Sequence, residues 1–197
     1  MTIDRIGQRA LDQLFFEART FNNWQDTKIS TMAIKELANT MKWAPTSANC
    51  SPARIVFVTS DEAKEKLAPL ALDTNQDKIR KAPATAIIGY DLDFHTHLPK
   101  LFPHTDAKAW FDGNDELIET TAFRNSSLQG AYFILAARAL GFDTGPMSGF
   151  DNDKVDEAFF ADTKVKSNFL CTFGYGDPEG MFDRSPRFSF EEFASIV

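Results

Sequence analysis

Between two prolines the chain reads Pro45-Thr-Ser-Ala-Asn-Cys-Ser-Pro52, a concentrated run of short hydrogen-bonding side chains. Thr46, Ser47 and Asn49 put hydroxyl and amide groups beside exposed backbone N–H, equipment for gripping a polar heterocycle or a ribityl-type polyol. The same run also reads as a capped turn. Arg19 and Arg187 lie near opposite ends of the chain. A guanidinium grips phosphate bidentately, so the pair could cancel a phosphate's charge, or each could be a solvated surface arginine. Lys78 is either a placed cation or an exposed helix lysine.

Three further constellations are discounted. Asp93-Phe-His95-Thr-His97, with His104 beyond, has the alternation of strand-borne metal ligands, but no second ligand cluster accompanies it. Loop histidines and no metal are expected. Gly174-Tyr-Gly176-Asp-Pro-Glu-Gly180 follows a strand, yet its third glycine is displaced and prolines stand where a dinucleotide fold needs a helix. Ser126-Ser127 has no neighbouring histidine and falls inside a helical pattern, where Arg124-Asn125 beside it could face a substrate.

These residues need elements to hold them. Leu11, Leu14, Phe15 and Ala18 recur at helical spacing, predicting a first helix that ends at Arg19-Thr20. Ile34, Leu37, Ala38 and Met41 repeat the spacing behind a Ser30-Thr31 cap, and Pro45 stops the helix. A β-branched strand over 53–59 is followed by a helix over 63–70. Ala84–Tyr90 is an apolar run without alternation, expected of a strand covered on both faces. Residues 91–115 have no sustained period and read as a surface excursion, a length of loop that usually has a task. Glu116–Leu140 is helical, with an apolar middle expected to be buried all round. A short helix follows Asp151, a strand spans Asn168–Phe173, and Ser189-Phe-Glu-Glu192 is a capping box. No repeat or linker divides the chain, so one domain over 1–197 is expected.

Composition narrows the classes. With 43% hydrophobic and 25% charged residues in 197, the chain is an ordinary globular sequence. A net charge of −7 argues against a nucleic-acid surface. No apolar run nears the roughly 20 residues that cross a bilayer, and the N-terminus is too polar for a signal peptide, so a cytoplasmic protein with no membrane partner is expected. Cys50 and Cys171 are expected as free thiols. Nineteen Phe against three Trp and three Tyr is unusual, and that much apolar surface could line a site for a flat ligand or seal a subunit interface.

The proline-bounded run resembles the Pro-Ser-Ser-x-Asn-x-Gln-Pro motif of the FMN-dependent nitroreductase family, with Thr46, Ser47 and Asn49 in the flavin-contacting places and Ser51 where many members carry Gln. Other elements resemble the family in the same order. Arg19-Thr20 matches its N-terminal phosphate-binding pair, and Asn75-Gln-Asp-Lys78 its Asn-x-x-Lys element for the ribityl chain and pyrimidine edge. Pro146-Met147-Ser148-Gly149 matches the loop whose backbone lies beside the isoalloxazine, and Arg187 a terminal phosphate ligand. Together these span 18–193. The runs 41–56, 122–127, 143–151 and 189–192 further resemble the malonic semialdehyde reductase branch of the family, associated with pyrimidine catabolism.

The resemblance implies an α+β nitroreductase-like fold, with a central, mainly antiparallel sheet wrapped by helices. It implies a homodimer with FMN at the interface, where Arg19 and the Thr46-Ser47-Asn49 set reach one flavin from different subunits. NADPH or NADH would reduce FMN at N5 in a ping-pong cycle that requires no catalytic side chain. Lys78 would stabilise negative charge on the reduced ring, N–H groups around Ser148 and Gly149 would donate to N5, and Gly149 would permit close approach. Malonic semialdehyde reduction to 3-hydroxypropionate is the leading expectation; general nitroreductase or quinone reductase activity, or flavin binding without turnover, are the alternatives. Arg124 or Lys108 would favour a carboxylated substrate, and Phe94, Trp110 and Phe111 are candidates for a lid within 91–115. Family members often pass a C-terminal strand to the partner, and the few residues after Phe193 leave little chain for it.

Overall fold

The computed structural model describes residues 4–197. A single turn, α1 (Gln8–Leu11), loosens into a π-helical turn over Asp12–Phe16, so the stripe from Leu11 to Ala18 is not one α-helix. Phe15 and Phe16 remain exposed. After β1 (Asn23–Trp24) comes α2 (Thr31–Met41), whose N-cap Ser30 accepts from the Ala33 N–H. β2 (Ala53–Val58) leads to α3 (Asp61–Leu67), capped by Ser60, with Asp61 and Glu62 at the positive end of its dipole. α4 (Asp73–Lys81) is polar on most sides and buries only Asn75 and Ile79, which is why no apolar period marks it in the sequence. β3 (Ala84–Asp91), α5 (Leu98–Leu101) and the long α6 (Asp115–Ala139) follow. β4 (Asp143–Met147), α7 (Asn152–Phe159), β5 (Val165–Gly174), β6 (Gly176–Asp177) and α8 (Phe190–Phe193) complete the order. The capping box at Ser189 and Glu192 forms with both of its hydrogen bonds.

Four strands make one sheet in the order β2-β3-β5-β4, antiparallel at every pairing, and β1 pairs with β6 as a separate ribbon. β3 lies inside the sheet and is covered on both faces. Ala84, Ala86 and Ile88 join Leu37, Met41 and Phe133 in the core under α2 and α6. Ile87 joins Leu67, Ile79 and Val155 in the core under α3, α4 and α7. With period two, a strand buried on both faces must be apolar throughout, which is the pattern its sequence carries.

Two further expectations are corrected. The 91–115 excursion is packed rather than loose: Phe94, Leu98, Ala107 and Phe111 build a third core with Cys50 and Ala122. Phe94 is fully buried and meets Phe111 edge to face at 5.0 Å, so both rings pin the excursion to α6 instead of forming a lid surface. Trp110 alone of the three stays exposed. The middle of α6 is also not buried all round. Phe133, Ala136 and Ala137 face the core, whereas Phe123, Leu128 and Tyr132 stand at the surface, each 40% or more exposed.

Candidate functional site

The sequence-predicted residues gather at two places. The first lies along β4, an edge strand. Its start is bridged to Thr20, and the Phe21 N–H donates to the Thr144 carbonyl at 3.1 Å, which places Arg19 beside this edge. Arg19 donates to the carbonyl of Phe182 in the C-terminal segment, and a cavity of about 310 Å³ between these segments is lined by Arg19, Thr20 and Arg187. Residues at the two ends of the chain thus meet around one space. Arg138 from the last turn of α6 and Arg184 line it too; neither stands in a recognisable sequence motif. Burial pushes the Arg138 guanidinium below the ordinary arginine range, and the neighbouring Arg184 charge pushes the same way, against the pull of Cys171 and Asp143.

Beyond the other end of β4, the chain turns through Ser148 and Gly149 onto α4. The Gly149 carbonyl accepts from the Leu72 N–H at 2.9 Å and from Asn75 Nδ2 at 3.1 Å, and Lys78 Nζ donates to Asn75 Oδ1 at 3.2 Å. A Cβ on Gly149 would fall 2.7 Å from Asn75 Nδ2 and 2.9 Å from Leu72 Cδ1. The close approach that demands glycine here is therefore to α4, with a backbone φ outside the left-handed region. Pro146 and Ser148 are exposed, and Met147 packs against the core under α4. A polyol or ring edge laid along β4 would meet Asn75, Lys78 and this backbone at one end and the arginines at the other. β4 spans five residues, on the order of 17 Å, a length suited to an elongated phosphorylated ligand.

The second place is the Thr46–Asn49 loop ahead of β2, at the opposite edge of the sheet. Ala48, Asn49 and Ser51 have φ of 48°, 50° and 39°, three non-glycine residues in the left-handed region within four positions. Such strain persists only where surroundings impose it. Thr46 Oγ1 accepts from the Ser51 N–H at 3.1 Å, and Asn49 Nδ2 donates to the Leu101 carbonyl at 2.9 Å. Two α6 side chains one turn apart complete the clamp: Asn125 Oδ1 accepts from the Ser47 N–H and Gln129 Oε1 from the Ala53 N–H, both at 2.8 Å. Asn125 thus faces the loop and not a substrate groove. Ser47 and Asn49 stay exposed at the crest. Cys50 beneath them is buried, and burial lifts its thiol to about 11 against the lowering effect of its bond with Thr46.

Within one chain the two places do not meet. β2 and β4 are the outer strands of a four-stranded sheet, separated by roughly 14 Å of backbone spacing. The loop packs with α6 on one face, whereas α4 covers the other. Arg124 is exposed on α6 in an apolar groove of about 810 Å³ with Tyr90, Phe123 and Leu128, and Glu116 and Glu119 line its N-terminal end. Lys108 is exposed on the excursion, outside that lining. His95 packs against Phe94 and Phe111, and among the described residues no three His, Cys, Asp or Glu side chains are placed to share a metal ion. No helix among those residues is long and apolar enough to cross a membrane.

Residues 17–176 match the Nitroreductase family. A Burkholderia lata protein assigned as an NADH dehydrogenase/NAD(P)H nitroreductase is 61% identical over 191 residues, covering 97% of this chain and 98% of the relative. A Stenotrophomonas maltophilia protein of the same assignment is 64% identical over 192 residues, 98% of each. Among solved structures, an Exiguobacterium sibiricum protein assigned as a nitroreductase, in complex with FMN, has a TM-score of 0.85 over 98% of this chain and 99% of that one. At 22% identity that likeness is one of fold. By its sequence match over most of its length and by its architecture, the chain belongs to the nitroreductase family.

Proposed function

We propose that this protein is an FMN-dependent NAD(P)H oxidoreductase working as a homodimer, with each flavin held between two chains. The observation that carries this reading is the separation just described. One chain offers Arg19, Thr20, Asn75, Lys78, Gly149 and Arg187 along β4, and Thr46, Ser47 and Asn49 at the opposite edge. Each set is suited to part of one flavin. The residues fit the group: the arginines match a phosphate, and the Asn75–Lys78 pair matches a carbonyl-rich ring edge. When bound, FMN would accept a hydride from NADH or NADPH and pass it to a second substrate admitted after the nicotinamide leaves. The chain's own part is to bind and orient. Lys78 would supply positive charge to offset the negative charge that reduction builds on the ring, and the clamped crest would offer the Ser47 hydroxyl and the Asn49 amide with little reorganisation. The cytoplasm is the compartment this reading implies.

For the second substrate we favour malonic semialdehyde, reduced to 3-hydroxypropionate. Support comes from the runs 41–56, 122–127, 143–151 and 189–192 and from Arg124, a cation in an apolar groove able to pair with a carboxylate. General nitroreductase or quinone reductase activity is the second reading, favoured by the Tyr90, Phe123 and Leu128 lining of that groove. Stopped-flow mixing of the NADPH- or NADH-reduced protein with malonic semialdehyde, a nitroaromatic and a quinone separates them. Fastest flavin reoxidation by the semialdehyde, slowed in Arg124→Met, is expected. Faster reoxidation by the other two sinks the substrate assignment, and a flavin that never bleaches with either nicotinamide sinks the reductase assignment.

A further inference from the structure

The corner between the N- and C-terminal segments holds more positive charge than one phosphate needs. Arg19, Arg138, Arg184 and Arg187 line a single cavity of about 310 Å³. A phosphate monoester carries up to two negative charges, which two guanidinium groups already match. Among the described residues none of the four makes an ion pair with a carboxylate, although Asp183 lines the same cavity. Their hydrogen bonds go to backbone carbonyls. Arg138 Nη1 donates to Leu14 at 2.9 Å, Arg184 Nη2 to Phe16 at 2.7 Å and Ala18 at 3.1 Å, and Arg187 Nη1 to Ser185 and Pro186 at 3.0 Å. Carbonyl bonds orient a guanidinium but leave its full charge uncancelled.

Arg138 is the most constrained of the four. It stands at the end of a 25-residue helix, its Nε is buried with no hydrogen-bond partner, and its own carbonyl accepts from Gln13 at 2.6 Å. Its Nη2 makes no hydrogen bond among the described residues, leaving it for a ligand in the cavity. An arginine fixed this way loses little conformational entropy on binding, unlike one at the tip of a mobile segment. Arg184 has a different geometry: it ties the C-terminal segment to the carbonyls of Phe16 and Ala18 at the exit of the π-helical turn, three residues and one residue before Arg19.

We propose that Arg138 is a further phosphate anchor of this corner, and that Arg184 is a positioning residue that closes the two terminal segments around the phosphate. This rests on the flavin reading above. The corner then selects a phosphorylated flavin over an unphosphorylated one through Arg138 as well as through Arg19 and Arg187.

The test compares FMN and riboflavin binding by fluorescence quenching in the full-length wild type, Arg138→Met and Arg184→Met, the methionines keeping most of the apolar stem. Loss of one charge-assisted contact predicts FMN binding weaker by roughly tenfold or more in Arg138→Met, with riboflavin affinity within about twofold of wild type. Arg184→Met should weaken FMN by a smaller factor. Equal weakening of both flavins, or no change in either, overturns the proposal. A second arm needs no flavin: inorganic phosphate should raise the melting temperature of the flavin-free wild type, and do so less in Arg138→Met and in Arg138→Lys, which folds with its charge kept but lacks the planar fork. An undiminished phosphate shift in both variants overturns the proposal, whereas a wild type that responds to phosphate but takes up neither flavin overturns the flavin reading instead.

Discussion

Cys50 sits inside the motif loop, next to Asn49, and the structure removes it from the list of reactive groups. Burial lifts its thiol to about 11 and that of fully buried Cys171 to about 12, so both are neutral and poorly nucleophilic near neutral pH. Because the folded-state values lie above the ordinary value of 9.0, the stability that depends on neutral thiols is complete below that value and is lost as pH rises toward 11 and 12. The loss is at most about 1.4 kcal/mol per pH unit for each thiol. Native protein should therefore react with a thiol reagent near pH 8 far more slowly than unfolded protein, and Cys171→Ala should flatten the alkaline fall in melting temperature; rapid labelling of the native state would contradict this. At this scale the sequence was legible in residue type but not in role. Gly149 is readable as a close-approach glycine, yet the partner it approaches is Asn75, which only folding reveals. Arg138 and Arg184 carry no motif because a guanidinium that reaches a site across the fold leaves no spacing signature.

α6 is the element on which the loop depends. Asn125 and Gln129 are polar groups inside a helix, one turn apart, and they accept the N–H groups that the strained 46–53 backbone cannot pair within itself. Asn125→Leu should leave the Ser47 N–H without its partner and cost about 1–3 kcal/mol of stability, and it should weaken FMN more than inorganic phosphate, because the crest is disturbed and the arginine corner is not. Equal effects on both ligands would place Asn125 outside the flavin site. The regular elements were legible where burial is one-sided or complete: α2, β2, β3, α6 and the Ser189 capping box follow their patterns to within a few residues. α4 was not, because its value lies in polar residues that hold the turn after β4, and β4 was not, because Gly145 and Pro146 dilute its strand signal. The excursion hid its order in the opposite way, with short 3-10 turns whose rings pack without any long period.

At the scale of the whole molecule, nineteen phenylalanines find only partial cover in one chain. Phe15, Phe16, Phe123, Phe182, Phe188, Phe190 and Phe193 are each 48% or more exposed, joined by Leu128 and Tyr132 along α6. That is far more apolar surface than a lone chain of this size keeps in water, and a second copy would cover it while bringing a β4 edge against a Thr46–Asn49 crest. Leu128→Glu with Tyr132→Glu should therefore yield a single chain that has lost FMN, although each half of the site is chemically intact. Sedimentation velocity of the FMN-loaded protein, followed at the flavin absorbance, tests this account most directly. It predicts that flavin sediments with a species of two 22.1 kDa chains, one FMN per chain, and leaves the sedimenting boundary when the pair dissociates. Flavin carried at full occupancy by a single chain would contradict it.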